Sequence, residues 1–228
     1  MLLDLKPEQL PTLDNFVIGA NTELVQRLRS LGDARSFEAL YLWGPPGGGK
    51  SHLLEATAAL ALGRRPVALL RGAEVGGELK LAAGSLLMID DVQELSAEAQ
   101  IALFRTFNAA RFLGLALLLA GTEPPLRMAL REDLRTRIGQ ALVYEIQPLS
   151  DEQKATALQR HAMDRGMLID SAVLQYLLRH GRRDLSSLMA TLDRLDRASL
   201  EQKRPPTLPL LRELMNASLN LDKDAGPP

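Results

Sequence analysis

The sequence predicts an α/β protein: a parallel five-stranded sheet flanked by helices, followed by a small all-helical subdomain. Three observations carry that prediction. Apolar, strand-like runs alternate with helical patterns as far as residue 146, a glycine-rich motif sits between one strand and the next helix, and strand signals cease after Gln147-Pro148.

The first clear strand is residues 39–43, followed by a helix over about 49–62. Further strands are expected at 66–71, 85–90, 115–120 and 142–146, and their unbroken apolar character indicates burial on both faces. Between the third and fourth, Ser96 reads as an N-cap, with Glu98 in the first turn ahead of the apolar positions Ile101, Phe104, Phe107 and Leu113. Beyond residue 148 the pattern is helical throughout, with helices expected near 150–165, 171–180, 184–200 and 208–215. This organisation gives a nucleotide-binding subdomain at 1–148, a helical subdomain at 149–216 and an aperiodic, disordered tail at 217–228.

The totals narrow the function classes. Hydrophobic residues make up 46% of the 228 and charged residues 24%, a globular composition. Only 4% are aromatic, which argues against base-stacking platforms, and the net charge of −1 supplies no global basic field for sequence-specific DNA binding. Without cysteine there is neither a disulfide framework nor a thiolate metal site, which suits a reducing cytoplasm. The first residues carry no signal-peptide pattern, and the longest apolar run, 113–121, is about half of what a membrane span needs. A cytoplasmic protein with no membrane partner is expected.

Gly44-Pro45-Pro46-Gly47-Gly48-Gly49-Lys50-Ser51 satisfies G-x4-G-K-[ST] with a strand before it and a helix after it. Glycines let backbone N–H groups close around phosphate oxygens where side chains would block them, and the following helix points its positive end at the same anion. Lys50 suits the β- and γ-phosphates, and the Ser51 hydroxyl suits Mg²⁺. In LLMIDDVQEL, Asp90 ends an apolar strand at the position from which a carboxylate holds magnesium through its waters. Asp91 follows where a water-polarising base sits. Taken alone the pair reads as a strand-ending turn; beside the phosphate loop the Mg²⁺ reading is favoured. Thr122, at the tip of the fourth strand, either positions water or caps the next turn.

Taken together these segments resemble the DnaA/Hda family of AAA+ proteins. The resemblance is carried by the phosphate loop with His52-Leu53-Leu54, by IDDVQEL, by GTEPP and by TLDNFVIGANTELV. YEIQPLSDEQKATALQ and ATLDRLDRASL are especially similar to the short members that lack the initiator's DNA-binding domain. It covers about 1–216 and implies a P-loop AAA+ module with a helical lid. It further implies an adenine nucleotide, ADP or ATP with ADP the working form, an adenine pocket lined by Phe16, Val17 and Ile18, and His52 as a family marker satisfied by a neighbouring group.

The implied activity is stimulation of ATP hydrolysis by the replication initiator DnaA, together with the DNA-loaded sliding clamp, so that initiation is restrained. LRTRIGQ resembles the family's finger segment and makes Arg137 the arginine offered in trans; by spacing alone Arg131, Arg135 and Arg137 read equally as solvated helix charges. GRRDLSSL resembles the sensor segment and makes Arg183, with Arg182 its neighbour, the arginine at the bound nucleotide. Leu2, Leu3 and Leu5, within a partner-binding segment at 1–12, stand where the clamp-binding peptide is expected, although the family's glutamine is missing and the same leucines suit packing against the body. Thr122 stands where initiator relatives often carry an acid, which lowers the expectation of self-hydrolysis, whereas Asp91 is retained. A homo-oligomer is implied, because AAA+ modules associate through the same face. The competing readings are an ATPase of the helicase-loader type and a nucleotide-gated adaptor that hydrolyses nothing.

Overall fold

The computed structural model describes residues 10–33 and 37–224. The chain divides into two compact units with the break between Pro148 and Leu149.

In the first unit, α1 (Thr22–Leu31) precedes β1 (Ala39–Trp43), and α2 (Lys50–Ala61) leads to β2 (Val67–Arg71). Then follow β3 (Leu86–Asp90), α3 (Ala97–Leu113), β4 (Ala116–Gly121), α4 (Glu132–Gly139) and β5 (Leu142–Glu145). The sheet has the order β2-β3-β4-β1-β5, and each neighbouring pair is parallel. All five strands therefore end on one edge, the edge at which ligands bind in open α/β sheets.

Strand periodicity builds the two cores. Leu40 and Leu42 of β1, Leu86 and Met88 of β3, and Leu118 of β4 face α1 and α2. Tyr41, Leu87, Ile89, Leu117 and Leu119 alternate to the other side, against α3 and α4. Burial on both faces holds for β3 and β4 and for the middle of β1. It does not hold for β2 and β5, which contain no fully buried residue. Both are edge strands, and half-exposure of their apolar side chains follows from having one neighbour instead of two.

Helix α1 has no counterpart in the sequence-based expectation. Its Leu24, Val25, Leu28 and Leu31 form a buried helical stripe. The second unit contains α5 (Asp151–Asp164), α6 (Ser171–His180), α7 (Leu185–Gln202) and α8 (Leu208–Asp224), packed around Leu158, Leu177, Leu192 and Leu211. Side-chain caps start three of them: Ser150 accepts from the Gln153 N–H, Asp170 from Ala172 and Asp184 from Ser187. Helix α8 corrects the expected tail, because it runs past residue 216 to Asp224. Among the described residues no helix is long and apolar enough to cross a membrane.

Candidate nucleotide site

The phosphate loop leaves β1 at Trp43 and enters α2 at Lys50. Gly49 stands at the helix N-cap with φ of 92°, a conformation costly for any residue with a Cβ. A Cβ there would also come within 2.9 Å of the Phe16 ring. No side chain caps α2, so its first N–H groups are left for a ligand. The Gly48 N–H donates to the Pro45 carbonyl at 3.2 Å and closes the turn, and Ile146, just past β5, packs against Gly44 and Gly48.

Lys50 is only 6% exposed, and its ammonium donates to the carbonyls of Gly44 (2.8 Å) and Pro45 (2.9 Å). Burial pushes its pKa down, against the opposing pull of the Asp90 and Asp91 charges. One residue on, the Ser51 hydroxyl donates to Oδ2 of Asp90 at 2.5 Å. The other carboxylate oxygen of Asp90 accepts the Asp91 N–H at 3.0 Å. A hydroxyl, a carboxylate and a cation from two distant segments thus meet at the ends of β1 and β3.

Asp91 sits beyond β3 in left-handed conformation, φ 51°, where aspartate is among the residues that tolerate it. A Cβ on Gly72, after β2, would collide with the Asp91 carbonyl oxygen, so the glycine lets this strained corner approach the neighbouring strand. Gln93 donates through Nε2 to the Asp91 carboxylate at 2.8 Å. Thr122, half-buried at the tip of β4, makes no side-chain hydrogen bond among the described residues, so it does not cap the following turn. That turn is held by the Tyr41 hydroxyl, which donates to the Glu123 carbonyl at 2.6 Å and to the Met128 sulfur at 3.2 Å.

The entry segment reaches the same place. His52 bonds the Thr12 carbonyl at 3.0 Å through Nε2, and its ring lies 5.7 Å from that of Phe16. The marker histidine is therefore satisfied by a neighbour, with no nucleophilic or metal-binding geometry. Phe16 and Val17 are half-buried and Ile18 is partly exposed. Their anchor is the buried Asn21: its Nδ2 donates to the carbonyls of Ile18 (3.0 Å) and Gln147 (3.1 Å), while its Oδ1 accepts the Gln147 N–H at 2.9 Å. The sequence reading singled out neither Asn21 nor Tyr41 nor Gln93. In the sequence Asn21 looks like an ordinary helix cap; in the fold it is buried and bonds Gln147 instead of capping α1.

Of the three arginines on α4 and at its start, Arg131 is engaged by Asp133 at 2.8 and 3.2 Å. Arg135 is half-buried; Arg137 is exposed in the last turn and donates to Gln140 at 3.3 Å. Buried Leu134 and Ile138 fix the helix beneath it. Arg182 and Arg183, both exposed, precede the Asp184 cap of α7 in the second unit. Leu2, Leu3 and Leu5 lie outside the described residues. No group of three or more His, Cys, Asp or Glu residues able to hold a metal occurs among the described residues.

Residues 151–215 match the family model for the Hda lid domain. The fold is similar to domain III of the Thermotoga maritima replication initiation protein DnaA, at TM-score 0.77 and 19% identity over 93% of this chain and 98% of that one. It is also similar to AMPPCP-bound DnaA from Aquifex aeolicus, at TM-score 0.70 and 20% identity over 83% of this chain and 67% of that one. A mutant of Thermotoga maritima RuvB, at TM-score 0.73 and 18% identity over 91% and 72% of the two chains, shares the same architecture. These identities speak for the fold, and the family match rests on the helical unit. The helical unit thus matches the Hda lid domain, and the chain has the fold of DnaA domain III.

Proposed function

We propose that this AAA+ protein binds an adenine nucleotide with Mg²⁺, ADP in its working form, and stimulates ATP hydrolysis by DnaA in concert with the DNA-loaded sliding clamp. The observation that carries the reading is the Hda lid match over 151–215 on a DnaA-like fold. Nucleotide binding is supported by this chain's own geometry. Lys50 places a cation inside the glycine loop, the α2 N-terminus offers N–H groups, and Phe16 borders Gly49 where the base side of the site is expected.

Ser51 and Asp90 fit a hydrated divalent cation: the hydroxyl would face Mg²⁺ and the carboxylate would hold one of its waters, in place of the hydrogen bond that joins the two side chains at 2.5 Å. When bound, that ion neutralises phosphate charge. Asp91 is the group on this chain suited to polarise water, and Gln93 holds its carboxylate. Thr122, in place of an acid, supports weak turnover by the chain itself.

In this reading the hydrolysis that matters takes place in the partner. Arg137 carries a permanent, planar charge on a helix anchored by Leu134 and Ile138, and its exposure leaves it available to a second AAA+ subunit. A finger of this kind supplied in trans is worth about 10³–10⁵ in rate. Arg183 serves the nucleotide of this chain, self-association uses the same face, and Leu2, Leu3 and Leu5 serve the clamp.

The test preloads DnaA with γ-labelled ATP and follows phosphate release on clamp-loaded DNA, adding the wild-type chain or Arg137→Ala. Stimulation by the wild type alone is expected. Equal stimulation by both would leave a nucleotide-gated adaptor, and none by either would overturn the regulator reading in favour of an ATPase of the loader type.

A further inference from the structure

Among the described residues, a half-open cavity of about 730 Å³ in the helical unit is lined by the first turn of α5, one face of α6 and the N-terminal turns of α8. Its lining is cationic: Arg179, Arg183, Arg212 and Lys154 face one carboxylate, Asp151. Asp151 pairs with Lys154 at 3.6 Å. That leaves three guanidinium groups uncompensated, because Arg179, Arg183 and Arg212 make no ion pair or side-chain hydrogen bond among the described residues.

Tyr176 organises the cluster. The His180 ring lies 4.3 Å from its ring, and the guanidinium of Arg212 stands over it at 4.9 Å. A guanidinium held over a ring keeps its edge N–H groups for other acceptors while the ring fixes its plane. Like charges gathered around one cavity repel, and an anion with several oxygens relieves that repulsion while taking bidentate hydrogen bonds.

We infer that this face of the lid is a phosphate-binding site that receives the phosphodiester backbone of duplex DNA. Arginine forks match phosphate oxygens, and the half-open cavity suits a ligand that passes through it. Tyr176, already engaged by His180 and Arg212, is no free platform for unstacked bases, which favours backbone contact with a duplex over capture of a single strand. Such contact carries no sequence preference, and the local guanidinium cluster has to supply the attraction, because the whole chain has a net charge of −1. The inference goes beyond the proposed regulatory reading, and it rests on Arg179 and Arg212, leaving Arg183 to the nucleotide as that reading has it.

The experiment uses the full chain, saturated with ADP so that the phosphate loop is filled. Binding of a fluorescent duplex of arbitrary sequence is measured across a salt series for the wild type, Arg179→Ala/Arg212→Ala and the charge-keeping Arg179→Lys. A fluorescent ADP analogue titrated into ADP-free samples of the same variants is the control, and inorganic tripolyphosphate is the competitor. The double variant is expected to lose at least about tenfold in duplex affinity and to flatten the log–log salt slope by about 1.8, the value for two lost phosphate contacts, with analogue binding unchanged. Arg179→Lys is expected to retain most of the affinity. Duplex affinity unaltered by the double substitution would overturn the inference, and so would equal loss of duplex and ADP analogue, which would assign the cluster to the nucleotide site. Tripolyphosphate binding that needs Arg179 and Arg212, without any duplex binding, would keep the phosphate chemistry and exclude DNA as its source.

Discussion

Ser51 and Asp90, 39 residues apart in sequence, are joined by a 2.5 Å hydrogen bond from the serine hydroxyl to Oδ2 of the aspartate. The contact brings the first turn of α2 to the end of β3, although β4 separates β3 from β1 in the sheet. A cation between loop and strand would find both oxygens in place. Replacing Asp90 by Asn, or Ser51 by Ala, should remove the Mg²⁺-dependent part of nucleotide affinity, by about tenfold or more, since an interaction with a charged group is worth about 1.5–3 kcal/mol. Titration of a fluorescent ADP analogue with and without Mg²⁺ reads this directly. If affinity rises with Mg²⁺ as much in both variants as in the wild type, the pair is no cation site.

Lys50 gives a prediction with two opposite signs. Lys50→Met should abolish nucleotide binding. Without nucleotide, however, the variant should be no less stable than the wild type below the lysine range, because burial disfavours the charge it removes. The folded pKa lies below the unfolded one, so between the two the unfolded chain binds more protons, and stability rises with pH through the window just under the ordinary lysine value of about 10.4. Urea unfolding of the nucleotide-free proteins at stepped alkaline pH should show that rise in the wild type and not in Lys50→Met.

Tyr41 supports the turn that carries Thr122. Tyr41→Phe keeps the ring in its core and strips the Glu123 carbonyl of its hydrogen bond, which should cost about 1–3 kcal/mol. Amide exchange should quicken around residues 122–128 and stay unchanged in α1. Burial, with Glu123 adding to it, holds the phenol well above the ordinary tyrosine range. The wild type should therefore lose stability as pH rises past about 10, where the unfolded chain already ionises.

Arg65 is 7% exposed and spends its guanidinium on main-chain carbonyls, among them Leu31 (3.2 Å), Asp33 (3.1 Å), Gly84 (2.9 Å) and Ser85 (3.1 Å). These tie the end of α1 to the start of β3. Arg65→Met fills much of the volume and satisfies none of the carbonyls, so a loss of roughly 3 kcal/mol is expected. Denaturant unfolding measures it; a loss below about 1 kcal/mol would show that water replaces the arginine.

The parts of the site written as contiguous strings were legible. The glycine loop, Lys50 and Ser51, the IDD strand end and the GTEPP turn each carry their context beside them, and β3, β4 and the four lid helices announce themselves by period. What escaped depends on pairing at a distance. Which strands lie at the sheet edges follows from the order β2-β3-β4-β1-β5, and nothing inside PVALLR or LVYE encodes that. Tyr41 reads as strand filler until its hydroxyl meets a carbonyl 82 residues away. Helix α1 went unread although Asn21 stands at its N-cap, and nothing near Asn21 in the sequence says that its amide bonds Gln147 instead of capping the helix.

That use of Asn21 closes the first unit on itself. Its amide clasps Gln147 in both directions across 126 positions while holding the Ile18 carbonyl. The chain thus departs from its nucleotide-binding unit at the rim of the binding loop, with the break at Pro148–Leu149 immediately after the clasped residue. One amide therefore fastens the entry segment that carries Phe16 to the last residues of the first unit.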